Sequence, residues 1–114
     1  MGAAYATALG LTLLIEMPAY ASVLRCGLNI RTGRGLAAGA AVNLISHPVA
    51  FLIVMPALDR PLGFFAALAV TEAGVWVFES ALLWLWVRRD VDLLSLAALL
   101  ANALSLAVGL WLIL

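Results

Sequence analysis

The chain has 114 residues, of which 67% are hydrophobic and 11% are charged, and its formal net charge is zero. A soluble domain is about half apolar and about a quarter charged, so this composition excludes a soluble globular protein. It indicates instead an integral membrane protein in contact with the lipid bilayer. Because the net charge is zero, the chain also lacks the excess positive charge expected of a nucleic-acid-binding protein.

Four apolar stretches lie between the charged residues, at about 3–24, 36–58, 61–87 and 93–114. Each has the ~20 residues that a helix needs to cross a hydrocarbon core of ~30 Å. The apolar runs lack the period-two alternation of a transmembrane β-barrel strand. The sequence therefore predicts an all-α integral membrane protein, a four-transmembrane-helix bundle that forms a single transmembrane domain over 1–114.

All six basic residues are arginines, and five of them lie in the connecting segments 25–34 and 88–89. Only Arg60 lies in the connection between the second and third spans, where it follows Asp59. By the positive-inside rule, the Arg-rich segments 25–34 and 88–89 face the cytoplasm. We therefore expect a protein of the cytoplasmic membrane whose two termini are both extracytoplasmic.

The first span carries Thr12, Glu16 and Tyr20 at four-residue intervals. Residues with this spacing share one face of a helix, so the acid lies between a hydroxyl and a phenol. Pro18 leaves the carbonyl of Leu14 without its helical hydrogen bond, and we expect the helix to bend near the acid.

The second span has one face that contains Gly35, Gly39, Asn43 and His47, again at four-residue intervals, with Ser46 beside it. The two glycines form a small-xxx-small pair, which permits a neighbouring helix to approach closely. The amide, the hydroxyl and the imidazole then lie in the middle of the span.

The third and fourth spans each have a polar face as well. Glu72, Trp76 and Glu79 follow one another at intervals of four and three residues, so both acids point in the same direction. In the fourth span, Asn102 and Ser105 share a face of an otherwise apolar helix.

The two halves of the chain resemble each other. The pattern Asn-x-x-Ser occurs at 43–46 and at 102–105, and a glutamate precedes an arginine by nine residues at 16–25 and at 79–88. Superposition requires the first connection to be shortened by four residues. Because each copy contains two spans, the pattern predicts two duplicated helical hairpins with the same orientation in the membrane. The predicted repeats are about 1–58 and 61–114.

The three glutamates lie at membrane depth, and no span contains an Arg or Lys to pair with them. At ~1.5 Å per residue, Glu16, Glu79 and the two asparagines lie about 12–15 Å from the Arg-rich boundary, close to the bilayer midplane. Either the carboxyl groups carry protons or a cation or cationic ligand balances them. Intramembrane acids mark ion and substrate pathways, whereas the Asn and Ser residues could equally join helices by hydrogen bonds. The predicted substrate- or ion-binding residues are Glu16, Asn43, Ser46, His47, Glu72, Glu79, Asn102 and Ser105.

Three functional hypotheses remain open. The first is a small transporter or channel-like protein, proton-coupled or cation-handling, which we expect to be a homo-oligomer because four spans are few for a pathway. The second is a non-catalytic membrane subunit that packs against partner subunits of a larger complex. The third is a metal-dependent intramembrane enzyme in which His47, Glu72 and Glu79 hold a divalent cation that activates water. The enzyme ranks last because the sequence has one histidine and no closely spaced pair of metal ligands.

Overall fold

The computed structural model describes residues 2–113, so positions 1 and 114 of the predicted domain lie outside the described residues. The described residues form helices joined by short turns. They are α1 (Gly2–Leu28), α2 (Thr32–Val49), a π-helical segment (Ala50–Val54), α3 (Met55–Leu62), α4 (Phe64–Val87) and α5 (Val91–Ile113).

Four helical spans are long and apolar enough to cross a membrane. They are Ala6–Leu28, Thr32–Leu62, Phe64–Val87 and Val91–Leu112. The second span is continuous over 31 residues because the π-helical segment joins α2 to α3. The all-α class and the four candidate membrane spans are therefore confirmed, and they indicate an integral membrane protein. The orientation of the spans in a membrane stays a prediction.

The boundary between the second and third spans differs from the prediction. The second span was expected to end at 58 and the third to begin at 61, but α3 continues to Leu62 and α4 begins at Phe64. Gly63 alone makes the turn, with φ +81° and ψ 163°. Only glycine adopts this conformation readily, so the chain reverses at Gly63 and not at the charged pair Asp59-Arg60.

The helices pack as a four-membered bundle. α1 packs against α2 and α5, and α4 packs against α5 and against the second span. α1 is therefore diagonal to α4, and the second span is diagonal to α5. The first hairpin (α1 with the second span) faces the second hairpin (α4 with α5). The longest dimension of the bundle, 42 Å, matches the ~40–45 Å of a bilayer that includes its headgroups.

α1 and α2 approach each other closely where the glycine pair was predicted to permit it. A Cβ atom on Gly35 would lie 2.8 Å from the Cα of Ala21 on α1, and one on Gly39 would lie 3.1 Å from the Cα of Met17. Both distances are shorter than an ordinary van der Waals contact of carbon atoms. Because Gly35 and Gly39 have no side chains, the backbones of α1 and α2 can meet at these two positions.

The π-helical segment was not predicted. In this wider turn the amide of Met55 donates to the carbonyl of Ala50, five residues earlier. The next residue is Pro56, which has no amide hydrogen and whose ring would crowd the carbonyl of Leu52 in a regular α-helix. The wider turn gives this carbonyl room, and the helix continues. α1 is likewise continuous through Pro18.

The two ends of the bundle are packed differently. At the end that carries the Arg-rich turns, apolar side chains fill the space between the helices; we call it the closed end. Its core consists of Tyr20, Leu24, Leu28, Val42, Leu83, Leu94, Ala97, Ala98 and Ala101. The two turns of this end are also joined, because Arg89 Nη2 donates to the carbonyl oxygen of Leu28 at 3.0 Å. The opposite half contains a cavity.

Candidate functional site

A cavity of about 240 Å³ lies between the four spans in the half of the bundle away from the Arg-rich turns. It extends from the centre of the bundle toward the end where α1 begins and α5 ends. The structure places all eight predicted site residues along it. They are Glu16, Asn43, Ser46, His47, Glu72, Glu79, Asn102 and Ser105. The helical spacings thus identified residues that share a cavity, while their binding role stays a prediction.

Glu79 is the most completely hydrogen-bonded of the three acids. Its side chain is fully buried. Tyr20 Oη and Asn102 Nδ2 both donate to its Oε1, at 2.5 Å and 2.9 Å, and Ser46 Oγ donates to its Oε2. A buried carboxyl group needs hydrogen-bond partners to replace the water it has lost, and these three donors supply them. Glu79 is therefore a fixed acceptor at the bottom of the cavity.

Glu16 is buried to the same degree but has fewer donors. Ser105 Oγ donates to its Oε2, whereas its buried Oε1 has no hydrogen-bond partner within residues 2–113. The side chain of Asn43 lies beside this carboxyl, and its amide donates to the carbonyl of Gly39 at 2.8 Å. Of the two acids at this depth, Glu16 is the one with an oxygen available to a proton or a ligand.

The hydrogen bonds around the two acids are reciprocal. Ser46 of the first hairpin donates to Glu79 of the second, and Ser105 of the second hairpin donates to Glu16 of the first. The two asparagines also behave alike, since each donates to the backbone carbonyl four residues earlier at 2.8 Å. We call this group the polar floor of the cavity. Its members are Glu16, Asn43, Ser46, Glu79, Asn102 and Ser105.

His47 and Glu72 lie on the sides of the cavity. His47 is buried and stacks on the ring of Phe51, with ring centroids 4.3 Å apart and an interplanar angle of 14°. Glu72 is half-buried and precedes Glu79 by two helical turns on α4. Within residues 2–113, no group of three His, Cys, Asp or Glu side chains is placed to hold a metal ion. The proposed divalent-cation set of His47, Glu72 and Glu79 is therefore not gathered into such a group.

Sequence reasoning omitted two features of the site. Tyr20 was assigned to the same face as Glu16, yet it donates to Glu79 on the diagonal helix, so its role depends on the order of the helices around the bundle. The apolar part of the cavity carried no signal in the sequence. We call it the apolar wall, and it consists of Leu11, Phe51, Phe64, Leu68, Leu106 and Leu110.

A second concave region lies on the outside of the bundle, between α2 and α4 in the Arg-rich half. It has a volume of about 470 Å³ and is lined by small and apolar side chains together with Arg34 and Trp86. The guanidinium carbon of Arg34 lies 5.6 Å from the centre of the Trp86 ring, which is the geometry of a cation–π contact. This groove contains no acid and is separate from the polar floor.

The fold and the site define the class of this chain as an all-α bundle with four candidate membrane spans and a buried glutamate that accepts hydrogen bonds from tyrosine, serine and asparagine. No protein-family model, no curated protein and no solved structure matches the chain.

Proposed function

We propose that this protein is a small membrane transporter that handles protons or cations at the polar floor of its cavity. One observation carries the proposal: Glu16, Glu72 and Glu79 line a single cavity at membrane depth, and no arginine is among the residues that line it. Carboxylates removed from water must be paired or protonated, and acids within membrane spans are typical of ion and substrate pathways. A mobile proton or cation supplies the positive charge that the side chains around the cavity do not.

The two acids of the polar floor have different roles in this proposal. Glu79 is held in place by three donors, so it serves as the fixed hydrogen-bond acceptor of the floor. Glu16 exchanges the proton or cation, since its Oε1 is free of hydrogen bonds to residues 2–113. Glu72 and His47 lie between the floor and the open half, on the path by which an ion would arrive.

Access to the floor is from one side. The cavity leads away from the Arg-rich turns, whereas apolar side chains fill the closed end. With the Arg-rich turns in the cytoplasm, the cavity faces the extracytoplasmic side. Transport then requires a second state in which the closed end opens. The reciprocal bonds from serine to glutamate support the predicted duplication. They connect the two hairpins, so a rocking motion of one hairpin against the other would break or rearrange them.

Flux through purified protein in liposomes tests the proposal. An internal pH-sensitive dye reports proton entry under an imposed potassium diffusion potential, and inorganic cations are then added one at a time. We expect flux above that of empty liposomes, and we expect Glu16→Gln and Glu79→Gln to reduce it to background. Asp92→Asn is the matched control because Asp92 is an exposed acid at the start of α5, away from the cavity.

Two results would contradict the transport proposal. One is the absence of flux from folded wild-type protein, and the other is flux that both glutamine variants retain in full. Circular dichroism and size-exclusion profiles establish that each variant is folded, so that a loss of flux caused by unfolding is not mistaken for an effect of the removed acid.

The alternative, a non-catalytic membrane subunit, is favoured by the groove between α2 and α4. Ala37, Ala38 and Ala41 line this groove, and small side chains permit close packing of a further transmembrane helix. This alternative predicts no flux from the isolated protein and a partner that remains bound after mild solubilisation. Flux from the isolated protein would decide against it.

A further inference from the structure

We infer that the cavity binds a small monovalent primary amine with an unbranched apolar body, its ammonium group at Glu16 and its hydrocarbon chain along the apolar wall. This inference rests on the proposed function, because it names the cation that the polar floor would take. It is argued from the distribution of polar and apolar groups along the cavity, from the free oxygen of Glu16 and from the size of the space.

The cavity changes in character along its length. The polar floor lies at the centre of the bundle, and on each span the residues of the apolar wall lie nearer to the open end. Leu11 precedes Glu16 on α1, Phe64 and Leu68 precede Glu79 on α4, and Leu106 follows Ser105 on α5. A ligand that fits both parts has a polar end and an apolar body. A fully hydrated inorganic ion fits only the floor.

The polar end of the ligand must be cationic and must be able to donate hydrogen bonds. Glu16 lines the cavity, and its Oε1 is buried and has no hydrogen-bond partner within residues 2–113. An ammonium group carries three donors and no acceptor, so it satisfies this oxygen and also balances one negative charge. Ca²⁺, by contrast, takes six to eight oxygen ligands. The oxygens of Glu79 are already engaged by three donors.

The dimensions favour a short linear molecule. The cavity has a volume of about 240 Å³. The lining residues on α4 extend from Phe64 to Glu79, a helical rise of roughly 22 Å at ~1.5 Å per residue. A small volume spread over this height is narrow, so an unbranched chain fits better than a bulky one. A second charge at the far end of the chain would lie against the apolar wall and would be disfavoured.

Equilibrium binding of n-hexylamine to the full chain in lipid nanodiscs tests the inference, with empty nanodiscs as the blank. The comparison compounds are 1-hexanol, which has the same chain without the charge, and hexane-1,6-diamine, which has a second charge. We expect binding in the order amine, diamine, alcohol. We expect Glu16→Gln to weaken amine binding by about tenfold to a hundredfold, the range for loss of a hydrogen bond to a charged group.

Two further variants keep the test decisive. Asp92→Asn removes an exposed acid and should bind n-hexylamine as the wild type does. Leu106→Trp keeps Glu16 and fills part of the apolar wall, so it should weaken amine binding even if Glu16→Gln fails to fold. Equal binding of 1-hexanol, or amine binding that neither Glu16→Gln nor Leu106→Trp changes, would overturn the inference.

Failure of this inference can be told apart from failure of the proposed function. Proton flux in liposomes without saturable amine binding overturns the amine assignment and leaves the transporter proposal standing. Absence of both flux and binding overturns both. Amine binding that depends on Glu16 supports the inference, and uptake of n-hexylamine into liposomes would then extend it from binding to transport.

Discussion

Replacement of Gly35 by alanine should push α1 and α2 apart. The new Cβ would lie 2.8 Å from the Cα of Ala21, whereas an ordinary contact is at least 3.4 Å, so the two backbones must separate by 0.6 Å or more. No side-chain rotation can relieve this contact because the atom that is met belongs to the backbone. Overpacking of this kind costs about 1–3 kcal/mol, and the better helix propensity of alanine returns about 1 kcal/mol.

Gly74→Ala is the matched control, since Gly74 lies within α4 and a Cβ there would meet no atom within 4 Å. This variant gains the helix propensity without the clash, so Gly35→Ala should be less stable than Gly74→Ala by about 1–3 kcal/mol. Gly39→Ala should fall between them, because its Cβ would lie 3.1 Å from the Cα of Met17. Unfolding in mixed micelles, followed by tryptophan fluorescence, gives the three free energies of unfolding. Equal stability of Gly35→Ala and Gly74→Ala would show that α1 and α2 do not meet at this point.

Two further predictions concern hydrogen-bond donors that join different helices. Tyr20→Phe removes the 2.5 Å hydrogen bond to Glu79. The free energy of unfolding should fall by about 1.5–3 kcal/mol because the acceptor is a carboxylate. An unchanged free energy of unfolding would mean that the phenol does not reach the acid. Trp76→Phe removes the 2.9 Å bond from the indole nitrogen to the carbonyl of Ser95, a neutral acceptor, so the fall should be smaller, at about 0.5–1.5 kcal/mol. The same unfolding measurement compares the two variants, and a larger loss for Trp76→Phe would contradict the expectation that the hydrogen bond to Glu79 is the stronger one.

The spans and the shared polar faces could be predicted because they depend on local patterns. Hydropathy identifies a helix long enough for a membrane, and a spacing of three or four residues places Glu72 and Glu79 on one face whatever the helix packs against. The same argument placed Glu16 on the face that meets the cavity. These inferences need no knowledge of which helices are neighbours.

The remaining features depend on the order of the helices around the bundle. Tyr20 and Glu79 are 59 positions apart in the chain, and only the diagonal placement of α1 and α4 brings them together. The difference between Glu79, with three donors, and Glu16, with one, follows from the same placement. The suggested metal set of His47, Glu72 and Glu79 also depends on this order, and within residues 2–113 these side chains do not form a group placed to hold a metal ion.

The predicted duplication places Glu16 and Glu79 at equivalent sequence positions, but their environments differ. Tyr20 of α1 donates to Glu79, which gives the second hairpin's acid a donor in addition to its serine and asparagine. At the position on α4 that corresponds to Tyr20, the chain has Leu83, which has no hydroxyl and belongs to the apolar core. Glu16 therefore has no matching phenol, and this single difference leaves its second oxygen for another partner.

The hydrogen bond from Arg89 to the carbonyl of Leu28 ties the last residue of α1 to the turn between α4 and α5. Leu28 is the last core residue on α1 and Arg89 lies beyond the core, so the bond joins the two hairpins at the Arg-rich end of the bundle. Any separation of the hairpins on that side must first break this bond and expose the carbonyl at the end of α1 to water or to a headgroup. The closed end is thus held partly by one guanidinium group, and an anionic phospholipid would compete with the carbonyl for it.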